Sequence, residues 1–301
     1  MDTSDTWITE RTGISERRFV EDGTPSSELG YLAARKALDK LENSEIDLII
    51  AATLSPDYYF PGIGTIIQKK LGLNNIPALD IRAQCSGLVY GLSCADAYIR
   101  SGQAKRVLLV CAEVQSQVLE LNNRGRDMAV LFGDGAGALV IEASEQEGII
   151  DSLLGSDGSG AEDLYMKGPG SASVGFINEV AFREGEYHPK MQGRHVFKNA
   201  VGRMCETAIT ILKRNELSAS DIDLLIPHQA NLRINEAVRN HLEIPESSVF
   251  NNIHHYGNTT AATIPICMSE AEAAGRLKKG SLVLTLAFGA GYTWGANLVR
   301  W

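Results

Sequence analysis

The sequence predicts an α/β protein built from two fused halves of similar architecture. Short apolar runs typical of buried strands alternate with amphipathic helical patterns in both halves. The run at residues 46–52 is echoed 176 residues later by a run that starts at Ile222, and a helical pattern precedes each of them. Alternating strands and helices favour mostly parallel sheets covered by helices. We therefore expect an N-terminal half over residues 1–145 and a C-terminal half over residues 146–301.

The first half opens with a polar stretch, residues 1–25, which lacks periodicity and is predicted to be a loop region. A helix then begins with Ser26 or Ser27 as its N-cap and continues to Leu41. Two further helices are expected at 64–71 and 88–99. The strands expected in this half are 46–52, 78–84, 106–111, 128–132 and 138–142.

The second half repeats this order. Helices are expected at 196–212, 231–242 and 261–274, and strands at 148–154, 222–226, 249–253, 281–287 and 294–299. The strand at 148–154 has no counterpart in the first half. Either the first sheet lacks its first strand or the true start lies upstream. We favour an upstream start, because a missing parallel strand leaves apolar faces and backbone groups unpaired.

Composition and charge exclude several classes of function. The chain has 301 residues, a net charge of −9 and a pI near 5.2, whereas nucleic-acid binding requires a basic surface. No apolar run approaches the roughly 20 residues that span a bilayer, and the N-terminus is too acidic for a signal peptide, so a cytoplasmic protein is expected. Five widely spaced cysteines without a C-x-x-C motif suggest neither disulfides nor a metal site.

Cys85 is the first candidate functional residue. It ends an apolar strand and precedes a helical pattern, which places its thiol at a strand-to-helix junction. The unpaired N–H groups and the dipole at a helix N-terminus favour a thiolate, so a lowered pKa and a nucleophilic role are expected. An isolated cysteine at such a place is more often a small apolar residue that closes a strand.

His228 and Asn258 favour the functional interpretation of Cys85. His228 follows the strand at 222–226, and Asn258 lies at the strand-to-helix junction that matches Cys85 in the repeat. Reactive groups in such sheets gather at the carboxyl ends of strands. Each residue alone is explained as well by a structural histidine or a helix N-cap. Together they predict that a thiol, an imidazole and a carboxamide meet at one site.

At this point the residues match a known family. The motifs are Asp2-Thr3-Ser4-Asp5, Arg11-Thr12-Gly13-Ile14, Gln84-Cys85-Ser86-Gly87, Phe132-Gly133-Asp134-Gly135-Ala136-Gly137, Pro227-His228-Gln229-Ala230-Asn231, Tyr256-Gly257-Asn258-Thr259 and Ala287-Phe288-Gly289-Ala290-Gly291. Over almost its whole length the chain resembles β-ketoacyl-(acyl-carrier-protein) synthase III, a condensing enzyme. The resemblance implies a thiolase-like fold with layers in the order αβαβα, and it begins just past the family's first strand.

The resemblance implies a Cys85–His228–Asn258 triad. Cys85 is expected to take an acyl group from acyl-CoA. His228 and Asn258 are expected to stabilise the enolate formed when malonyl-acyl carrier protein loses carbon dioxide. The N–H groups of Cys85 and Ala290 are the implied oxyanion hole. No cofactor and no metal are implied.

Further residues acquire roles only through the resemblance. It implies that the chain is a homodimer with short acyl starters, without nucleic-acid or membrane partners. The implied CoA and pantetheine contacts are Trp7, Arg11, Arg126, Gly193, Phe197 and Asn231. The implied acyl pocket is Phe60, which reaches across the dimer, with Leu131 and Phe288, and the implied carrier-protein contacts are Arg233 and Lys198.

Several alternatives remain open. Gln84 and Tyr256 depart from the family pattern and put acetyl-CoA as the starter in question. A related condensing or acyltransfer enzyme of secondary metabolism, with another donor or acceptor, fits the same motifs. From a different class, the polypeptide is an inactive subunit that only pairs with a partner. A Rossmann site is rejected, because the glycines at 133–137 precede a strand rather than a helix.

Overall fold

The computed structural model describes residues 1–146, 148–172 and 175–301. The helices are α1 (Asp5–Thr12), α2 (Ser26–Leu38), α3 (Ile63–Leu71), α4 (Gly87–Arg100), α5 (Arg126–Ala129), α6 (Glu179–Arg183), α7 (Gly193–Arg214), α8 (Leu232–His241), α9 (Ile253–Tyr256) and α10 (Thr263–Ala273). The strands are β1 (Leu48–Ala52), β2 (Ala78–Ile81), β3 (Arg106–Glu113), β4 (Gly135–Glu142), β5 (Ile149–Ser156), β6 (Leu164–Tyr165), β7 (Lys190–Met191), β8 (Leu224–Pro227), β9 (Leu282–Gly289) and β10 (Thr293–Arg300).

Two four-stranded sheets form the core. The first has the order β2-β1-β3-β4, with β1 parallel to β2 and β3, and β4 antiparallel to β3. The second has the order β5-β10-β9-β8, with β8 parallel to β9, and β10 antiparallel to both β9 and β5. All five residues of β1 and all eight of β9 are buried, as expected for strands covered on both faces.

The helices lie in three layers around the two sheets. One apolar cluster joins α4 and α10 to the inner faces of both sheets, so these helices form the central layer. A second cluster packs α7 and α8 on the outer face of the second sheet, and a third packs α2 and α3 on the outer face of the first. The layer order is therefore αβαβα, as the family resemblance implies.

The duplication is more regular than the sequence pattern alone indicates. The starts of β1 and β8, and of β3 and β9, are each separated by 176 residues, and so are the starts of α4 and α10. Individual hydrogen bonds between strand ends repeat at the same spacing. The Asp47 N–H donates to the Arg106 carbonyl at 2.9 Å, and the Asp223 N–H donates to the Leu282 carbonyl at 3.0 Å.

Four predicted elements are wrong. Residues 1–25 include α1, which Ser4 caps by accepting from the Trp7 N–H, and Pro25 rather than a serine is the N-cap of α2. The run at 128–132 is continuously buried, which resembles a strand in sequence, but its first two residues end α5 and it contributes only a bridge between Phe132 and Asn258. The run at 249–253 contributes only a bridge between Leu225 and Val249, and α9 begins within it.

The edge of the first sheet differs from that of the second. In the second sheet the edge strand β5 pairs with β10 in the antiparallel direction, so the strand that lacks a counterpart in the first half is antiparallel and not parallel as predicted. Among the described residues, none forms a strand on the free side of β4. An apolar groove between α2 and α10 runs along that side, lined by residues such as Ala138, Val140 and Ile266. Every helix in the described residues is too short or too polar to span a lipid bilayer.

Candidate active site

A cavity of about 90 Å³ lies where the two halves meet, and it brings together the three predicted catalytic side chains. Cys85, His228 and Asn258 all line it, and each is at most 5% exposed. Five other predicted site residues line the same cavity: Leu131, Phe288, Gly193, Phe197 and Asn231. Apolar side chains from α7 and α8 form much of the remaining wall. The cavity therefore has an apolar body and a small polar group of side chains at one end.

Cys85 lies in a short 3₁₀ turn, Gln84–Ser86, between β2 and α4. Gln84 adopts a left-handed backbone conformation, with φ of 46°, at this turn. Gly289, the last residue of β9, packs directly on the nucleophile's backbone: an added Cβ there lies 3.0 Å from the Cys85 nitrogen and 3.2 Å from its Cβ. Only glycine fits this contact without displacement.

The Cys85 thiol is not the low-pKa group that the sequence predicts. Burial raises its pKa to about 12, and the nearby charge of Glu113 adds to the shift. Desolvation of the thiolate in this apolar cavity outweighs the favourable position before α4. The expectation of a thiolate in the free protein is therefore wrong, and the thiol needs a proton acceptor before it can attack.

His228 follows β8 and is held as a neutral imidazole. The backbone N–H of His228 donates to the Leu286 carbonyl at 2.7 Å, and this bond continues the pairing of β8 with β9 by one residue. Burial lowers the pKa of His228 to about 3. Its Nδ1 lies 2.7 Å from the Thr263 hydroxyl. Its Nε2 is buried and has no hydrogen-bond partner among the described residues, so this nitrogen remains available to a substrate.

Asn258 is fixed by its backbone and by one side-chain bond. Its N–H donates to the Leu131 carbonyl at 2.8 Å, and its carbonyl accepts from the Gly133 N–H at 3.1 Å. Its Oδ1 accepts from the Thr260 N–H at 2.8 Å. Because the amide oxygen is used in this way, the Nδ2 hydrogens remain for another acceptor. The repeat places Ala261 and not Asn258 at the position equivalent to Cys85, which corrects the predicted equivalence.

Trp7, Arg11 and Arg126 form one cluster near the cavity. The guanidinium carbons of Arg11 and Arg126 lie 5.7 Å and 5.4 Å from the centre of the Trp7 ring. The side chain of Asn231, which lines the cavity, donates to the Arg11 carbonyl at 3.2 Å. The predicted CoA contacts are thus continuous with the cavity.

Other predicted residues are not brought to the cavity. Phe60 is 80% exposed and does not line the cavity of its own chain, so its predicted role depends on a second copy. Ala290 follows β9 and is not among the lining residues, although its neighbour Gly289 is. Arg233 is exposed in the first turn of α8, and Lys198 is exposed in the second turn of α7. Their roles stay predictions.

Two residues near the site were not predicted. Thr263 contacts His228, and Glu113 is a fully buried carboxylate at the end of β3. An acidic residue that ends an otherwise apolar strand was a visible signal for Glu113, since buried charge requires partners. The described residues contain no cluster of three or more histidine, cysteine or acidic side chains suited to a metal ion.

Comparisons with known proteins agree on one family. The model for the 3-oxoacyl-(acyl-carrier-protein) synthase III family matches residues 79–158, and the model for its C-terminal domain matches residues 212–301. A β-ketoacyl-(acyl-carrier-protein) synthase III of Helicobacter pylori is 45% identical over 99% of this chain and 90% of its own length. The relative from Clostridioides difficile is 44% identical over 100% of this chain and 91% of its own length.

Solved structures give the same result. The 3-oxoacyl-(acyl-carrier-protein) synthase III of Aquifex aeolicus superposes with a TM-score of 0.90 at 41% identity, covering 100% of this chain and 92% of the other. The priming β-ketosynthase of the R1128 polyketide pathway superposes with a TM-score of 0.89 at 31% identity, covering 99% of this chain and 88% of the other.

Proposed function

This chain belongs to the 3-oxoacyl-(acyl-carrier-protein) synthase III family and has its thiolase-like fold, and we propose in detail how its residues perform that family's reaction. The reaction is a decarboxylative Claisen condensation of an acyl-CoA starter with malonyl-acyl carrier protein. The product is a 3-oxoacyl-acyl carrier protein, the first intermediate of fatty acid synthesis. The enzyme is thus an acyltransferase.

The first half-reaction transfers the acyl group to Cys85. The sulfur attacks the thioester carbonyl of acyl-CoA, the tetrahedral intermediate expels the CoA thiolate, and that thiolate takes up a proton. Because burial raises the pKa of Cys85, the thiol proton has to pass to a neighbour, and His228 Nε2 is the unpartnered acceptor in the same cavity. The N–H groups of Cys85 and Ala290 then stabilise the oxyanion.

The second half-reaction uses hydrogen-bond donors and no strong base. His228 Nε2–H and Asn258 Nδ2 donate to the malonyl thioester carbonyl, carbon dioxide leaves, and the electron pair remains as an enolate. The enolate carbon attacks the acyl thioester on Cys85, the carbon–sulfur bond breaks, and the Cys85 thiolate takes up a proton from solvent to restore the thiol. Neutral His228 suits this task, because burial keeps its pKa near 3 and therefore removes the positive charge at physiological pH. Electrons balance through decarboxylation, so the reaction as drawn needs no cofactor.

The CoA moiety of the acyl-CoA substrate lies, in this proposal, along the continuous surface from Trp7 to the cavity. Trp7 and Arg126 are proposed to hold the adenine of CoA, Arg11 its phosphates, and Gly193 with Asn231 the pantetheine channel. Phe197, which also lines the cavity, belongs to the same channel. Arg233 and Lys198, both exposed, are proposed contacts for the acidic carrier protein in the cytoplasm.

A homodimer is part of this proposal. The exposed side chains of Tyr58, Tyr59 and Phe60 are consecutive and 62%, 67% and 80% accessible. Aromatic side chains in such a run are typical of a protein–protein interface. A second copy that covers them also receives Phe60 at its acyl pocket, beside Leu131 and Phe288.

The convergence of Cys85, His228 and Asn258 on one cavity carries this proposal. It is tested by mass spectrometry of the intact protein after incubation with a series of acyl-CoA chain lengths. A single acyl adduct that disappears in Cys85→Ser is expected, and its preferred length identifies the starter. Asn258→Ala should still acylate but should lose decarboxylation of malonyl-acyl carrier protein. Normal turnover in that variant, or an adduct elsewhere, contradicts the assignment.

A second candidate is priming of a secondary-metabolite pathway, since the R1128 priming β-ketosynthase shares 31% identity with the chain. Gln84 and Tyr256, which flank the site, leave the starter open. Tyr256 is bonded through its hydroxyl to Glu270, and this bond together with burial raises its pKa to about 12. Comparing acyl-CoA donors against malonyl-acyl carrier protein and malonyl-CoA separates the two functions.

A further inference from the structure

Glu113, at the carboxyl end of β3, is a fully buried side chain that the proposed mechanism does not use. Its Oε2 accepts from the Ser55 hydroxyl at 2.7 Å and from the Leu54 N–H at 3.1 Å. Its Oε1 accepts from the Ala261 N–H at 3.4 Å, and Gln115 Nε2 donates to Oε2 at 3.3 Å. Three of these donors cannot act as acceptors, so the geometry is that of a carboxylate, although burial raises its pKa.

The repeat gives this carboxylate a particular position. At the spacing of 176 residues, the counterpart of Glu113 is Gly289, which packs on the Cys85 backbone. The counterpart of Cys85 itself is Ala261. Glu113 of the N-terminal half therefore faces Ala261 of the C-terminal half, as Gly289 of the C-terminal half faces Cys85 of the N-terminal half.

The two turns have the same backbone shape. The Ser86 N–H donates to the Ala83 carbonyl at 3.0 Å, and its counterpart, the Ala262 N–H, donates to the Thr259 carbonyl at 3.0 Å. The left-handed φ of 46° at Gln84 is repeated in its counterpart, which has a φ of 49° at residue 260. Equivalent N–H groups of the two turns therefore have equivalent orientations.

A second copy of the oxyanion hole follows from this equivalence. The proposed hole consists of the N–H groups of Cys85 and Ala290, and their counterparts are Ala261 and Val114. The Ala261 N–H points at the Glu113 carboxylate. The Val114 N–H donates at 2.9 Å to the Ser55 hydroxyl oxygen, which in turn donates to Glu113. This second hole is filled by the Glu113 carboxylate and its hydroxyl partner, Ser55.

We propose that Glu113 is a positioning residue that, by filling this second oxyanion hole, holds the segment 258–263 in place for catalysis. That segment carries Asn258 at one end and Thr263, the partner of His228, at the other. The two donors of the decarboxylation step are therefore fixed through the carboxylate, while Cys85 lies on the other turn. This inference rests on the proposed function and assigns Glu113 to its second half-reaction.

Two substitutions separate position from charge. Glu113→Asp keeps the charge but withdraws the carboxylate by one methylene from Ala261. Glu113→Gln keeps the length and removes the charge, and its amide NH₂ still finds acceptors in the hydroxyls of Ser55 and Thr53. We expect Glu113→Asp to slow decarboxylation of malonyl-acyl carrier protein roughly tenfold to a hundredfold, because small displacements of donors have effects of this size. Acylation of Cys85 should change much less, and Glu113→Gln should be the milder variant in both assays.

Asn297→Ala is the matched control. Asn297 is also fully buried and hydrogen-bonded, to the Val89 carbonyl and to the hydroxyls of Ser152 and Thr285, and none of these three partners belongs to either turn. Loss of the Asn297 side chain should lower the free energy of unfolding without changing the ratio of the decarboxylation rate to the acylation rate. Where Glu113→Asp does not fold, Ser55→Ala, which removes one partner of the carboxylate, should show the same bias.

The wild-type protein is measured in both assays in parallel. Absence of an acyl-enzyme in the wild type contradicts the proposed function itself. A wild type that completes both half-reactions, with variants that slow both steps equally or with Glu113→Gln more damaging than Glu113→Asp, overturns the positioning role alone.

Discussion

The Nδ1 atom of His228 lies 2.7 Å from the Thr263 hydroxyl oxygen, and that oxygen lies 3.1 Å from the Thr260 carbonyl. A hydroxyl has one proton, so it donates either to the carbonyl or to Nδ1. In the first case Nδ1 carries the imidazole proton and Nε2 is an acceptor. In the second case Nε2 carries the proton and is a donor. Acylation requires the first tautomer and decarboxylation the second. The change of tautomer needs a proton gained at Nε2 and one lost from Nδ1, and the Thr263 hydroxyl accommodates both states by rotating.

Thr263→Val should therefore impair both half-reactions. Valine keeps the shape of the side chain, but it removes the hydroxyl that accepts from Nδ1–H in one tautomer and donates to Nδ1 in the other. We expect decarboxylation to fall roughly a hundredfold, comparable with the loss of one oxyanion donor. Thr263→Ser retains the hydroxyl and should retain most activity. ¹⁵N chemical shifts of His228 report the tautomer directly, and wild-type rates of both half-reactions in Thr263→Val contradict this account.

The buried neutral state of His228 predicts a pH-dependent stability. Its pKa is about 3 in the folded protein and near 6.5 when unfolded, so below pH 6.5 the unfolded state binds more protons. The free energy of unfolding should therefore fall as pH drops from 6.5 towards 3, with a contribution of up to about 1.4 kcal/mol per pH unit. Denaturant unfolding of wild type and His228→Gln at several pH values measures it. His241→Gln, at an exposed position, is the control, and equal slopes in wild type and His228→Gln are incompatible with a neutral buried imidazole.

The raised pKa of Cys85 predicts how the free enzyme reacts with alkylating reagents. Because the thiolate is the reactive form and the pKa is about 12, the rate of iodoacetamide alkylation at Cys85 should rise with pH throughout the range 6 to 9. Mass spectrometry of the peptide that contains Cys85 gives this rate. A plateau below pH 8 is the profile of a preformed thiolate and contradicts the burial argument.

Much of the fold was predictable from residues, because its signals are local. The apolar strand patterns, and the repeat of the strand that starts at Ile46 by the one that starts at Ile222, predicted the two halves and the order of their elements. The duplicated contacts of Asp47 and Asp223 were not visible, since they depend on which strands become neighbours. The N-terminal helix was missed because its low apolar content gives α1 little periodicity, and its Ser4 cap was the remaining signal.

The identities of the catalytic residues were predictable from the sequence, but the pKa of Cys85 and the contacts of Glu113 were not. Cys85, His228 and Asn258 follow from strand ends and from the family resemblance, and the cavity contains all three. The pKa of Cys85 was predicted in the wrong direction, because burial depends on packing from the other half of the chain. Glu113 contacts Ala261, a partner 148 residues away in sequence, which no local pattern indicates.

The contact between Gly289 and Cys85 predicts that a single methyl group at residue 289 damages acylation. A Cβ there lies 3.0 Å, 3.2 Å and 3.3 Å from the Cys85 nitrogen, the Cys85 Cβ and the Ser86 nitrogen. Two of these are backbone atoms of a turn anchored by other bonds, so Gly289→Ala must move the turn and its oxyanion donor. We expect a loss of about 1–3 kcal/mol in the free energy of unfolding and a larger relative loss in the rate of acyl-enzyme formation. Gly202→Ala, in α7 with no atom within 4 Å of the new Cβ, should acylate normally and gain up to about 1 kcal/mol in stability. Acylation of Gly289→Ala at the rate of Gly202→Ala would show that the turn tolerates the displacement and that its backbone does not set the geometry of attack.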